Sequence, residues 1–307
     1  MDLSVYVTQF VVQFGALILY LVPLFSGIGL LFIFKQAAKK HRINPLLGDL
    51  LRPAGFSLQQ KIDDQQWEVM KYCCGLPMVA TIAPFSVLVE EKLVGVHIST
   101  TSWIFISLLS LIGVIYFIYK MISAAMELPK LRLGLACEMA VAQSLEHVIY
   151  PEQTQCRVFH DIQFEGFNID HLVVLANGVF VIETKGRSKY LLEGKKQAKV
   201  TVEGGALKFP THTETQPLEQ VRMNIRAVKQ WLDNATGLSV PVAGVLVLPG
   251  WYVELKERTA DPYVMNDKGL SKNLASLRNG YLDPAQMKAI VYQAEQKCRT
   301  IDRHSVK

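Results

Sequence analysis

A mixed α/β domain preceded by membrane-spanning helices is the fold class this sequence predicts. Three observations carry it. Long uncharged apolar runs crowd into roughly the first 120 residues. After them, strand-like runs alternate with amphipathic helical stretches, the order that yields an α/β sandwich with a mixed sheet. One run, "PVAGVLVLPG" (Pro241–Gly250), is apolar throughout, as a central strand covered on both faces must be.

The membrane part comes first in the chain. No charged residue lies between Asp2 and Lys35, and Val11–Phe34 is long enough to span a bilayer as a helix. The start carries only Asp2 where a cleaved signal peptide needs a basic opening, so an uncleaved span is expected. Trp103–Tyr119 is a second span with aromatic anchors at both ends. Between them, Tyr72–Val89 is uncharged but short and interrupted by Pro77 and Pro84, so it reads as a third span or as a re-entrant segment.

Charge distribution favours three spans over two. Residues 35–71 hold seven basic side chains, whereas Glu90–Ser102 holds Lys92 beside two acids. Lys120, Lys130 and Arg132 follow the last apolar run. Three spans at 11–34, 72–89 and 103–119 put every basic segment on one side, as the positive-inside tendency requires. The expected organisation is a membrane region over 1–119, with a basic cytoplasmic loop at 35–71, and a cytoplasmic domain over 120–307. The N-terminus is then outside, and the lipid bilayer of the cytoplasmic (inner) membrane is a partner. A net charge of +5 is too mild to argue for nucleic acid by itself, and the five cysteines show no metal-ligand spacing.

Within the second part, Leu131–Val148 reads as a helix whose stripe of Glu138, Val141, Ala142 and Leu145 places an acid among apolar residues. The bland reading puts that acid at the edge of the stripe, in solvent. Strands are expected at Cys156–Phe164, Phe167–Ala176 and Val179–Gly186. An exposed ribbon follows around 193–210. The stretch from Thr215 to Asn234 is a helix with Pro217 in its first turn and a ladder of Leu218, Val221, Ile225, Val228 and Leu232. After Pro241–Gly250 comes a short strand at "PYVMN". A last helix is capped by Asp283, with Pro284 at its first position.

The chemistry sits on "LVVLANGVFVIETKGR". A two-residue turn at Asn177-Gly178 would set Ala176 opposite Val179, Leu172 opposite Glu183 and Asp170 opposite Lys185. Alternation then places Asp170, Glu183 and Lys185 on one face, with the two acids diagonal at ~7–8 Å. Such a pair can turn onto one divalent cation, and a lysine beside it can orient water, which is the equipment of phosphodiester hydrolysis. An exposed Asp–Lys pair across a ribbon is the plainer alternative. Lys189, Lys195, Lys196 and Lys199 form a basic cluster that either holds phosphates or is a solvated surface.

Taken in order, "LRLGLACEMAVAQSL", "VFHDIQF", "NIDHLVVLANGVFVIETKGR" and "QPLEQVRMNIRAVKQWL" resemble the nuclease-related domain, a family of the restriction-endonuclease-like (PD-(D/E)XK) fold. The resemblance covers about Leu131 to Asn234. It implies Asp170 and Glu183 as metal ligands, Lys185 as the residue that orients the attacking water, Glu138 as a supplementary acid and Gln220 as a contact to metal-bound water or phosphate. It implies Mg²⁺, with Mn²⁺ as a substitute, and nucleic acid as partner, DNA ahead of RNA. Two functions stay open: a membrane-anchored, Mg²⁺-dependent nuclease, and a non-catalytic nuclease-fold scaffold or nucleic-acid sensor. Oligomeric state is not readable from the sequence.

Overall fold

The computed structural model describes residues 50–89, 99–149, 156–192, 194–257, 262–277 and 279–299, with Ile33, Glu91, Gly95 and His97. The expected span at 11–34 lies outside the described residues, apart from Ile33. By contacts the chain divides into two units, Met1–Pro45 with Asp63–Leu128 and Leu46–Ile62 with Pro129–Lys307. The second unit therefore takes in a piece of the segment expected as a membrane-side loop.

In the first unit, α1 (Phe56–Val89) holds the expected span at 72–89, and α2 (Thr100–Ile149) holds the one at 103–119. Among the described residues, α2 is the one helix long and apolar enough to cross a membrane. Its large side chains Phe105, Leu109 and Ile115 are exposed. The sequence reading separated a span from a helix at 131–148, but the structure runs them together through Pro129. Proline removes one backbone hydrogen bond, which bends a helix without having to end it.

The second unit is built on a five-stranded sheet of β1 (Arg157–Phe164), β2 (Phe167–Leu175), β3 (Gly178–Thr184), β9 (Val242–Val247) and β11 (Tyr263–Met265), in that order. β1, β2 and β3 pair antiparallel; β9 joins β3 in parallel and β11 joins β9 in parallel. Alternation sends Leu172, Val174, Val179 and Val181 to one face, beneath α3 (Gln216–Thr236) and α5 (Pro284–Cys298). Val173, Leu175, Phe180 and Ile182 go to the other, under Val141 and Leu145 of α2 and Leu270 of the short α4 (Asp267–Asn273). Both faces are covered, so β3 is buried along its whole length. All five residues of the expected α3 ladder are buried. Asp283 and Gln286 close a full capping box on α5. Thr215 precedes α3 but makes no side-chain capping bond.

The region after β3 departs from expectation. β4 (Leu191–Leu192) and β5 (Lys195–Lys196) form a small hairpin. β6 (Lys199–Glu203), β7 (Ala206–Lys208), β8 (Thr213–Glu214) and β10 (Tyr252–Leu255) form a second mixed sheet, ordered β10-β6-β7-β8. It is not an exposed ribbon. Val200, Val202 and Leu207 pack with Val221 and Ile225 of α3 and with Trp251. The reason is a period of two in "KVTVE", which points two valines the same way.

The hairpin register also differs by two residues. Leu175 pairs with Gly178, Leu172 with Val181 and His171 with Ile182. Ala176 and Asn177 make the turn, and Gly178 alone takes the positive φ, 121°. A type I′ turn would need positive φ at Asn177 as well. The tip is fixed from outside: Asn177 Nδ2 donates to the carbonyl of Leu277 at 2.7 Å, and Asn279 Nδ2 donates to those of Val179 and Pro241, each at 3.0 Å. A shift of two preserves which face each side chain takes. It changes who stands opposite whom: the next step along the ladder sets Asp170 level with Glu183, where Lys185 was expected.

Candidate active site

Three carboxylic acids from three elements meet one cavity of about 710 Å³ at the end of the sheet: Glu138 from α2, Asp170 from β2 and Glu183 from β3. Lys185 and Gln220 line the same cavity, so all five residues singled out in the sequence come together. Each acid is buried, at 6%, 7% and 2% exposure respectively. Glu138 is therefore not a solvated acid at the edge of its stripe. The neighbouring stripe residues Val141 and Leu145 are fully buried, which draws the turn carrying Glu138 down with them.

The polar contacts are specific. Asp170 Oδ2 accepts the backbone N–H of Thr184 at 2.7 Å. Glu183 Oε1 accepts from Lys185 Nζ at 2.8 Å, and its Oε2 accepts from Asn224 Nδ2 at 2.9 Å. Asn224 was missed in the sequence. It sits one turn beyond Gln220 on α3, and a buried amide on that apolar ladder was the available signal. Arg187 bonds Glu214, which also accepts from or pairs with His212 at 2.8 Å, and these three line the wall beyond Lys185.

Electrostatics set this recess apart. Burial, with added repulsion from Asp161 and Glu183, raises the Glu138 carboxyl to about 7. Burial and the charges of Glu183 and Glu138 push Asp170 well above the usual carboxylate range. Burial also raises Glu183, although Lys185 and Asn224 work against it. Buried acids that oppose one another's ionisation create a demand for positive charge.

Do these residues fit a metal ion? The donor set consists of carboxylate oxygens, which suit hard cations such as Mg²⁺ or Mn²⁺. Thr184, on the same cavity, has a buried hydroxyl Oγ1 without a hydrogen-bond partner. As placed, no three His, Cys, Asp or Glu side chains among the described residues stand close enough to hold a metal. The chemistry fits; the ligands are not drawn together in advance.

Two lysines of the basic cluster expected to grip phosphate, Lys189 and Lys199, are engaged elsewhere. Lys189 Nζ donates to the Gly250 carbonyl, and Lys199 pairs with Glu254 at 3.0 Å. Neither lines the acid cavity, whose cations are Lys61, Lys130, Lys185 and Arg187.

A mixed α/β domain with clustered acids at one end of its central sheet offers oxygen donors of the kind hard cations take. Consistent with this, residues 133–249 match the family model of the nuclease-related domain, from the middle of α2 through β9, and the PD-(D/E)XK fold follows from that family. No curated protein and no solved structure matches the chain.

Proposed function

We propose that the protein is a membrane-anchored nuclease that hydrolyses phosphodiester bonds, of DNA in preference to RNA, with Mg²⁺ held by Asp170 and Glu183. The observation that carries this reading is the convergence of Glu138, Asp170 and Glu183 on one cavity, buried and mutually opposed. A bound divalent cation would polarise the scissile phosphate and favour ionisation of water. Lys185, already within hydrogen-bond reach of Glu183, orients that water toward phosphorus. Glu138 is placed to receive its proton, since a group poised near neutrality exchanges protons best at physiological pH. Gln220 and Arg187 line the approach to the phosphate.

The exposed apolar surface of α2 supports anchorage in a bilayer. Three spans, the N-terminus outside and the nuclease-like unit in the cytoplasm complete the proposal. A reporter fused after Lys307 that is active only outside the cytoplasm would overturn that orientation.

Purified full-length protein, a labelled DNA duplex and Mg²⁺ test the activity. Because Leu46–Ile62 belongs to the same unit as the site, a fragment starting at Lys120 would not be a fair substitute. Cleavage lost on chelation and in Glu183→Gln supports the enzyme; equal cleavage by the variant sinks it. One observation favours the second reading, a non-catalytic nucleic-acid sensor: Glu183 has both oxygens engaged by protein donors. DNA binding that ignores added Mg²⁺, with no cleavage, is its signature.

A further inference from the structure

Lys61 stands outside the matched segment 133–249, yet it lines the acid cavity. It projects from the first turns of α1, on the same face as Leu58, another cavity residue three positions earlier. That helix start is held against the sheet by buried polar contacts. Gly55 donates its backbone N–H to Glu138. Ser57 Oγ donates to Asp161 Oδ2 at 2.8 Å and accepts from Gln163 at 2.7 Å. Arg52 donates to the carbonyl of Asp161 at 3.3 Å. Gly55 takes φ +73°, and a Cβ there would collide with Leu135. The backbone runs this close to α2 because the residue is glycine.

Other cavity cations are committed, Lys185 to Glu183 and Arg187 to Glu214. Lys61 is exposed and has no hydrogen-bond or ion-pair partner among the described residues. A long cation on a docked helix beside a phosphodiester site is placed to meet a backbone phosphate. From this geometry we infer that Lys61 is a nucleic-acid phosphate contact of the site, supplied by the helix start that docks Gly55 onto Glu138. This rests on the nuclease reading and assigns it a substrate-binding residue from a part of the chain outside the matched domain.

The test uses the full chain in nonionic detergent, with Ca²⁺ replacing Mg²⁺ so that binding of a labelled DNA duplex is read by anisotropy without turnover. Lys61→Ala should weaken binding roughly three- to tenfold and lower the magnitude of the log Kd against log salt slope by about one. Lys61→Arg should restore most of both, whereas Lys288→Ala, an exposed lysine of α5, should change neither. With Mg²⁺ the loss in Lys61→Ala should fall on KM more than on kcat. Unaltered affinity and slope in Lys61→Ala, with wild-type cleavage intact, overturns this contact and leaves the nuclease reading standing. A wild type that neither binds nor cuts DNA sinks both. An effect of Lys61→Ala confined to protein in vesicles containing anionic lipid overturns it in favour of a headgroup contact.

Discussion

Two buried aspartates on neighbouring strands, Asp161 and Asp170, have opposite surroundings. Asp161 is fully buried, and its carboxylate receives hydrogen bonds from Ser57, Gln163 and Asn168. Its backbone takes φ +49° and interrupts the β1–β2 ladder between the pairs His160–His171 and Ile162–Ile169. Among the described residues Asp170 receives one hydrogen bond, from the Thr184 amide, and faces two further acids. Three donors can hold a buried carboxylate as structure; one donor and two repelling neighbours leave a group that must keep a proton or meet a positive charge. Burial is therefore no guide by itself; the number of donors is.

The comparison can be broken most forcefully at the underserved acids. Asp170→Asn and Glu183→Gln should each lower Mg²⁺-dependent cleavage by at least about a hundredfold, read as initial rates. The same Asp170→Asn should raise the metal-free thermal midpoint, because the amide needs neither to ionise nor to take up a proton among the neighbouring acids and its oxygen still accepts the Thr184 N–H. Asp161→Ala should do the reverse, costing about 3 kcal/mol of unfolding free energy by stranding its donors. If both substitutions shift stability in the same direction, the contrast is wrong.

A smaller effect comes from pH. The folded-state value of Glu138, about 7, lies above its ordinary 4.5. The unfolded chain therefore ionises first as pH rises. The stability that Glu138 contributes to the metal-free unit is fully present below the ordinary value and is lost as pH rises through about 7. Melting at pH 5 and pH 8 should differ by roughly 1–3 kcal/mol, and Glu138→Gln should flatten the difference. The smallest expected effect belongs to Lys199→Ala, which removes a solvent-screened pair with Glu254 and should leave both the thermal midpoint and cleavage unchanged.

How much of this was legible follows from the range of each interaction. Apolar runs identified β2, β3 and β9, a ladder of period 3.6 identified α3, and the Asp283-Pro284 cap marked the start of α5. Asp170 and Glu183 could be read together because they share a hairpin, whereas Glu138 entered the site through the family resemblance and not through its helix face. Face membership survived the register error, since a shift of two leaves alternation intact, but the opposition of Asp170 and Glu183 did not. Asn-Gly signals a turn without fixing which two residues make it, and here Asn279 and Leu277, a hundred residues away, decide. The second sheet was missed as a sheet because β7, β8 and β10 are short and packed by distant partners. Asp161 was invisible for the same reason: its donor Ser57 lies far upstream.

Arg52 donates its backbone N–H to Cys298, and Leu51 bridges to Arg299. During translation, Leu51 and Arg52 cannot make these two contacts until the closing helix has left the ribosome. Those two contacts are therefore among the last that the unit can make as it is synthesised. Timing, in this molecule, is written into which strand end meets which.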